Sequence, residues 1–86
     1  MHLVRDVKYI GEYKLQLKFE DGTMREVDLA NHLDGEVFAP LRKPERFRSV
    51  HLNSELDTIV WDNGADMSPD FLYEIGSPVA ESVPAA

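Results

Sequence analysis

The segment from Tyr13 to Phe19 alternates strictly between apolar and polar side chains, and this pattern constrains the fold more than any other feature of the sequence. A period of two places alternate side chains on opposite faces of a β-strand, so one face is apolar and the other is hydrated. Asp21 and Gly22 follow, a pair that adopts positive φ at low cost and suits a two-residue hairpin turn. We therefore predict a strand over residues 13–19 that pairs antiparallel with a strand over residues 24–29.

A second hairpin is predicted from residues 48–53 and 58–62, which flank a polar turn. Two registers stay open, because a slip of one residue turns the other face of a strand inward. In one register Ile59 and Trp61 face the core, and in the other Val60 does.

The segments around these hairpins differ in their periodicity. Residues 3–10 have the composition of a strand and are followed by Gly11, which predicts a first strand. Residues 30–47 contain Gly35, Pro40 and Pro44, and the apolar residues that are regular recur every three to four positions. This spacing predicts short helical turns that are joined by loops and packed across one face of the sheet.

A short helix is predicted near the end of the sequence. Ser68 can cap its start, and Pro69 suits the first helical position, where a missing N–H is harmless. Gly76, followed closely by a proline, ends the helix. The apolar stripe predicted for this helix consists of Phe71, Leu72 and Ile75.

These elements predict a single α+β domain over residues 1–76, with a small antiparallel sheet of two hairpins plus an N-terminal strand, short helical turns in the middle and a short C-terminal helix. A chain of 86 residues is long enough for one core and too short for two. Residues 77–86 contain two prolines and no periodic apolar face, so we expect a disordered tail there.

Composition excludes several classes of function. The sequence has no cysteine, so neither a disulfide nor a thiolate metal site can stabilise it. A net charge of −7 opposes attraction to a phosphate backbone, and we do not expect nucleic acid as the main partner. No run approaches the roughly 20 apolar residues of a membrane span. We therefore expect no membrane association and a cytoplasmic location.

Residues 62–70 form an acidic loop, for which there are two interpretations. Asp62, Asp66 and Asp70 could gather around a hard cation, although the loop lacks the central glycine and the final glutamate of an EF-hand. In the interpretation that we favour, the loop bends the backbone and starts the helix, and Asp70 lies favourably against the helix dipole.

Residues 41–48 contain four basic residues and one acid, which makes a basic spot on an acidic body. The interpretation that we favour is a solvated loop that balances the acidic charge. The alternative is binding of an anionic group or of an acidic partner surface, because arginine binds carboxylates and phosphates through paired hydrogen bonds. The four basic residues are Arg42, Lys43, Arg46 and Arg48.

The sequence contains no catalytic motif. It lacks a G-x-S-x-G elbow, an H-E-x-x-H pair and a glycine-rich phosphate loop. Its three histidines lie in different predicted elements without the spacing of metal ligands. We therefore expect no enzymatic activity, no catalytic residue and no cofactor.

Four motifs together resemble the bacterial family catalogued as domain of unknown function 2442. They are a strand ending in F-x-D-G, a following V-D-L, a central F-x-x-L and a closing W-x-N-G-x-D-x-x-P-x-x-L-Y. The resemblance covers most of residues 3–75 and is most specific in the closing motif. The closing motif is matched by Trp61, Asn63, Gly64, Asp66, Pro69, Leu72 and Tyr73.

The resemblance implies a small α+β domain that occurs alone or fused to a helix-turn-helix domain. Such members are often encoded beside another small protein family, which has prompted a toxin–antitoxin suggestion, and no catalytic residue comes with the family. This sequence has no helix-turn-helix extension, which argues against direct DNA binding. Trp61 and Tyr73 would be core or interface aromatics, and residues 63–66 a structural corner.

Our first hypothesis is a non-enzymatic protein-interaction module, antitoxin-like, whose partner is a small protein encoded next to it or a second copy in a homodimer. Unpaired sheet edges support this hypothesis, because they readily receive a partner strand. The first alternative is a metal-binding or small-ligand-binding domain that uses the acidic loop. The second is a nucleic-acid-associated regulator that uses the basic spot.

Overall fold

The computed structural model describes residues 2–79 and confirms the α+β class. The strands are β1 (Val4–Gly11), β2 (Lys14–Phe19), β3 (Met24–Asp28), β4 (His51–Asn53), β5 (Thr58–Val60) and β6 (Ser77–Pro78). The helices are α1 (Gly35–Phe38), α2 (Pro44–Phe47) and α3 (Pro69–Ile75), and Ala30–His32 and Ala39–Arg42 form 3₁₀ turns. An antiparallel sheet has the order β1-β2-β3-β6, and β4 and β5 form a separate two-stranded sheet.

Strand β2 is an inner strand of the larger sheet, and the burial of its side chains confirms the strand predicted from the alternating pattern. Leu15, Leu17 and Phe19 are at most 1% exposed, whereas Lys18 on the opposite face is exposed. One face of this sheet is therefore covered by the core. None of the helices within residues 2–79 is long and apolar enough to cross a membrane.

The turn between β2 and β3 holds three residues, 20–22, and the prediction of a two-residue turn is wrong. The Phe19 N–H donates to the Thr23 carbonyl and the Gly22 N–H donates to the Phe19 carbonyl, both at 2.9 Å. Gly22 has a φ of 88°, as the last position of a three-residue hairpin loop requires. The longer loop forms because the Asp21 carboxylate accepts the Thr23 N–H at 2.9 Å and so builds its own turn.

The middle of the sequence confirms the predicted short helical turns and covers the apolar face of the sheet. Leu33, Leu41 and Phe47, one from each successive part of this segment, are at most 1% exposed. The Phe47 ring meets the edges of Tyr9 and Tyr13, with centroid distances of 6.1 and 5.3 Å. Such aromatic contacts fix the position of α2 over the first two strands.

The smaller sheet adopts the first of the two predicted registers. Leu52 pairs with Ile59, and Ile59 and Trp61 join the main core cluster with exposures of 0% and 2%. Val60 is also largely buried, at 8%, but it lies outside that cluster. Both strands are shorter than predicted. β4 begins only at His51 because α2 and the turn after it occupy residues 44–49, and β5 ends at Val60 because the Trp61 backbone bonds within the loop that follows.

Helix α3 begins and ends as predicted, but its apolar stripe differs. The Ser68 hydroxyl accepts the Phe71 N–H at 3.5 Å, and Pro69 occupies the first turn. Leu72 is fully buried and Ile75 is half-buried, whereas Phe71 is 36% exposed. A helix of seven residues presents a narrow face to the core, and adjacent residues on a helix point in different directions, so Leu72 occupies the core and Phe71 does not.

The backbone after α3 returns to the sheet, and its first residues form β6 where a disordered tail is predicted. β6 pairs antiparallel with β3, and the Val79 N–H donates to the Met24 carbonyl at 3.0 Å. Pro78 is tolerated in this strand because an edge strand can lack one N–H. The remainder of the predicted tail, residues 80–86, lies outside the described residues.

Gly76 allows the close approach of α3 and β3, and we predict that Gly76→Ala destabilises the fold. A Cβ atom at this position would lie 2.9 Å from the Arg25 Cβ and 3.0 Å from the Leu72 carbonyl oxygen. We expect the free energy of unfolding, measured by urea denaturation, to fall by about 1–3 kcal/mol. Ser77→Ala is the control, because Ser77 is exposed. Equal stability of the two variants would contradict the prediction.

Candidate functional site

Trp61 anchors the loop that follows β5. Its indole N–H donates to the Phe47 carbonyl at 3.0 Å, which satisfies a polar group that is otherwise buried. The Trp61 N–H donates to the Ala65 carbonyl, and the Gly64 N–H donates to the Trp61 carbonyl, both at 2.9 Å. Gly64 has a φ of 86°, a conformation that glycine adopts without strain. These contacts support the structural interpretation of this corner.

Asn63 fixes the same loop to α1. Its Nδ2 atom donates to the Val37 carbonyl at 2.9 Å, and its Oδ1 atom accepts the Ala65 N–H at 3.0 Å. One amide therefore bonds to both the loop and the helix, using its donor and its acceptor. This contact and the edge-on packing of Phe38 against Trp61, with ring centroids 6.4 Å apart, both hold α1 near the loop.

The three carboxylates of the metal-site alternative are not brought together. Asp70 lies in the first turn of α3 and accepts the His2 backbone N–H at 3.0 Å. Asp66 forms a β-bridge with Val60 and lines a different cavity from Asp70. Asp62 is exposed. Within residues 2–79, no three Asp, Glu or His side chains lie close enough together to hold a metal ion.

Tyr73 joins three distant segments in a group of side chains that we call the Tyr73 cluster: His2, Phe19, Asp21, Arg25 and Tyr73. The Tyr73 ring stacks on His2 with a centroid distance of 3.6 Å, and the Arg25 guanidinium carbon lies 3.7 Å from the ring centre. Phe19 meets the ring edge-on at 4.9 Å. The Tyr73 hydroxyl donates to Asp21 Oδ2 at 2.9 Å. The cluster therefore ties α3 to the β2–β3 turn and to the N-terminal residues.

The charge of Asp21 is stabilised within this cluster. Hydrogen bonds from the Thr23 hydroxyl and N–H, at 2.6 and 2.9 Å, lower the pKa of Asp21 from 3.8 to about 2. The hydrogen bond from Tyr73 and the charge of His2 lower the pKa in the same direction. Since the causes are turn and packing contacts, the shift has a structural origin.

We predict that the charge of Asp21 stabilises the fold at neutral pH and that this contribution disappears in acid. A group whose folded pKa is lowered contributes its stability above the unfolded value, here 3.8, and loses it as the pH falls toward 2. Asp21→Asn should therefore lower the urea midpoint at pH 7, and the difference from wild type should vanish near pH 2.

Asp62→Asn is the matched control, because the Asp62 carboxylate accepts no hydrogen bond from residues 2–79. Its midpoint should follow that of the wild-type protein at both pH values. A difference between Asp21→Asn and wild type that stays constant with pH would contradict the prediction.

Arg42 of the basic spot is bound within the fold. Its Nε atom donates to the Leu33 carbonyl at 2.9 Å, and its guanidinium pairs with Asp34 at 2.7 Å. The Arg42 carbonyl in turn accepts a hydrogen bond from the Tyr13 hydroxyl. These contacts hold the second 3₁₀ turn against the sheet, so Arg42 has a structural role.

The other basic residues of the spot are exposed. Lys43 and Arg46 form no ion pair with residues 2–79. The Arg48 guanidinium carbon lies 5.8 Å from the centre of the Tyr9 ring. The spot therefore consists of one fixed arginine and three accessible cations, which is consistent with the solvated loop that we favour.

An open cavity of about 410 Å³, the α3 groove, lies beside the start of α3. Its apolar surface comes from Phe38, Met67 and Phe71, and the His32 ring meets Phe71 edge-on at 5.3 Å. The polar side chains of the groove are Asn31, His32, Asp34, Asp66 and Ser68.

Sequence reasoning missed the α3 groove because its walls are far apart in the sequence. Residues 31–38 provide one wall and residues 66–71 the other. Phe71 gave a misleading signal, since its place in the apolar stripe predicts burial. The sequence signal that could have indicated the groove is Asp66, because the loop between Trp61 and α3 turns this residue toward the groove.

The backbone of β1 has one side that does not face β2. Phe19 bonds across to Thr23 on the β3 side, and backbone groups alternate in direction along a strand. Odd-numbered residues of β2 therefore direct their backbone N–H and C=O groups toward β3. Even-numbered residues of β2 direct theirs toward β1, where Gln16 pairs with Lys8. Lys8 therefore bonds to β2. The N–H and C=O groups of its neighbours Val7 and Tyr9 consequently point away from β2.

This outer edge of β1 is centred on Val7 and Tyr9. The Val7 N–H donates to Asp6 Oδ1 of the preceding residue at 2.9 Å, and no strand other than β2 within residues 2–79 pairs with Val7 or Tyr9. At the start of β1 the edge is occupied, because the Val4 N–H donates to the Asp57 carbonyl of the β4–β5 turn at 2.9 Å. The register of β1 shifts between Val4 and Asp6 and again between Tyr9 and Gly11, which leaves a short regular segment between the two irregularities.

The match to known proteins agrees with the motifs. A family model described as "Protein of unknown function (DUF2442)" matches residues 4–77, a span that contains both hairpins, the Trp61 loop and α3. No curated protein and no solved structure matches the sequence. The matched span covers most of the 86 residues, as the resemblance in the sequence predicts, and this protein belongs to the family described as "Protein of unknown function (DUF2442)".

Proposed function

We propose that this protein is a non-enzymatic protein-interaction module that forms a homodimer by pairing the outer edge of β1 with the same edge of a second copy. The observation that carries the proposal is the direction of the Val7 and Tyr9 backbone groups, which face away from β2. Such an edge readily adds a strand from another molecule. Pairing of one edge with itself closes a two-fold symmetric dimer.

Charge complementarity selects the register of this dimer. If Val7 pairs with Val7 of the second copy, Asp6 lies opposite Lys8 of that copy, and Lys8 lies opposite its Asp6. If the pairing is centred on Lys8, two lysines lie directly opposite each other and repel. Asp6 and Lys8 are both exposed, so the charges are accessible to a second copy. The register centred on Val7 is therefore favoured.

The position of Asp6 also makes the edge selective. Its carboxylate accepts the Val7 N–H at 2.9 Å, and an incoming strand must displace it to reach that donor. A strand that offers a cation opposite Asp6 compensates for the displacement, whereas an uncharged strand does not. Charged residues and irregularities on an edge are common means of limiting unwanted strand pairing. The second copy meets the requirement through Lys8.

The size of the domain supports association. A chain of 86 residues buries a limited apolar area, and small domains without disulfides or metals often gain stability by oligomerising.

We predict that reversal of either charge weakens the dimer and that mixing the two variants restores it. Lys8→Glu places two acids opposite each other across the edge, and Asp6→Lys places two lysines opposite each other. Each variant alone should sediment as a monomer at concentrations where the wild-type protein is a dimer. In the mixture, the introduced glutamate faces the introduced lysine, so a heterodimer should form.

Matched variants test the role of the backbone in the same experiment. Val7→Pro removes the outward N–H, whereas Val7→Ala also replaces the valine side chain but keeps the N–H. We expect a monomer for the proline variant and a dimer for the alanine variant, with circular dichroism as the check that both are folded. A wild-type protein that stays monomeric at high concentration, or a mixture of charge variants that stays monomeric, would sink the proposal.

The family resemblance implies an antitoxin-like role, and this role stays a prediction. That the partner is a small protein encoded next to this one is also a prediction. Co-expression of the two proteins and recovery of a complex would support this role. Since we expect that partner to use the same edge of β1, the Val7→Pro variant should fail to bind it and Val7→Ala should bind it.

A further inference from the structure

The α3 groove combines apolar surface with an uncompensated acid. Phe71 is 36% exposed, and Phe38 and Met67 line the same groove. A cavity of about 410 Å³ falls within the range of roughly 300–1,000 Å³ that is usual for ligand sites. The groove is open, so it can receive a side chain that projects from another molecule.

The two carboxylates at the groove are not equivalent. Asp34 pairs with Arg42 at 2.7 Å, so its charge is balanced within the domain. The carboxylate of Asp66 accepts no hydrogen bond and forms no ion pair with any residue between 2 and 79, although its backbone is held by the bridge to Val60. A fixed backbone with a free carboxylate places a negative charge at the edge of an apolar surface.

This arrangement is complementary to an arginine side chain. The aliphatic stem of an arginine can lie on apolar surface while the guanidinium reaches a carboxylate, and the planar guanidinium also stacks on aromatic rings. Here Phe71 and His32 provide the rings, and Asp66 accepts the hydrogen bonds of the guanidinium. Lysine fits less well, because its compact ammonium group cannot stack or bind a carboxylate through two hydrogen bonds.

We propose that the α3 groove binds an arginine side chain that is presented by a protein partner, with Phe71 as the stacking surface and Asp66 as the anion. This inference rests on the proposed interaction function and adds a second surface with a defined partner chemistry. The net charge of −7 adds a long-range preference for a basic partner.

The test is a titration of the isotope-labelled Lys8→Glu variant, followed by nuclear magnetic resonance. This background is monomeric if the dimer proposal is correct, and because Lys8 lies in β1 its change leaves the residues of the α3 groove untouched. The probe is a short capped peptide with one arginine between two leucines, and the comparison peptide has glutamate in place of arginine. We expect the backbone signals of His32 and Phe71 to shift with the arginine peptide and not with the glutamate peptide.

Substitutions separate the groove from general attraction to an acidic protein. Asp66→Asn should weaken binding of the arginine peptide at least tenfold, which corresponds to about 1.4 kcal/mol. Asp62→Asn removes the same charge from the same loop outside the groove and should leave the affinity within twofold. Phe71→Leu should weaken binding while keeping an apolar side chain, because leucine offers no ring for stacking.

Each outcome has a defined meaning. Equal loss in Asp66→Asn and Asp62→Asn, or no shift of the groove signals, would overturn the inference. If n-butylguanidine, which has the same head group without a peptide, binds as tightly as the arginine peptide, the groove is a site for small cations and the assignment to a protein partner is wrong. A failed titration leaves the sedimentation of the wild-type dimer unaffected, so failure of the groove and failure of the β1 edge are distinguishable.

Discussion

The one-sided sheet is the physical constraint on which the rest of the structure depends. Leu15, Leu17 and Phe19 project from one face of β2, and water must be excluded from that face if the strand is to remain stable. The middle segment, the smaller sheet and α3 all supply buried residues to this core. Because each of these elements is too short to be stable alone, they are held in place by the surface that they cover.

The closing motif stabilises that covering layer through specific hydrogen bonds and ring contacts. Trp61 bonds to the end of α2, Asn63 bonds to α1, and Tyr73 contacts the β2–β3 turn through Asp21. Three residues of one motif therefore reach three different elements. This explains a motif that is rich in polar residues without assigning any chemistry to it, since its side chains serve as connections between short elements.

The sequence predicted those features that depend on neighbouring residues. The alternation in β2, the capping of α3 by Ser68 and its end at Gly76 are local, and each is confirmed. Features that depend on distant contacts were not predictable. The turn length depends on how Asp21 bonds, and β6 forms because the free side of β3 offers partners to residues that have no strand pattern of their own. The α3 groove belongs to the same group, since its walls meet only in the folded protein.

Helix α3 connects the two regions that bear on recognition. Phe71 faces the α3 groove, and Tyr73, two residues later, lies in the Tyr73 cluster with His2 and Arg25. A helix of seven residues has little stability of its own, so its orientation is set by contacts such as these. Movement of Tyr73 must therefore move Phe71 as well, and an arginine bound in the groove would be sensitive to the cluster although it does not touch it.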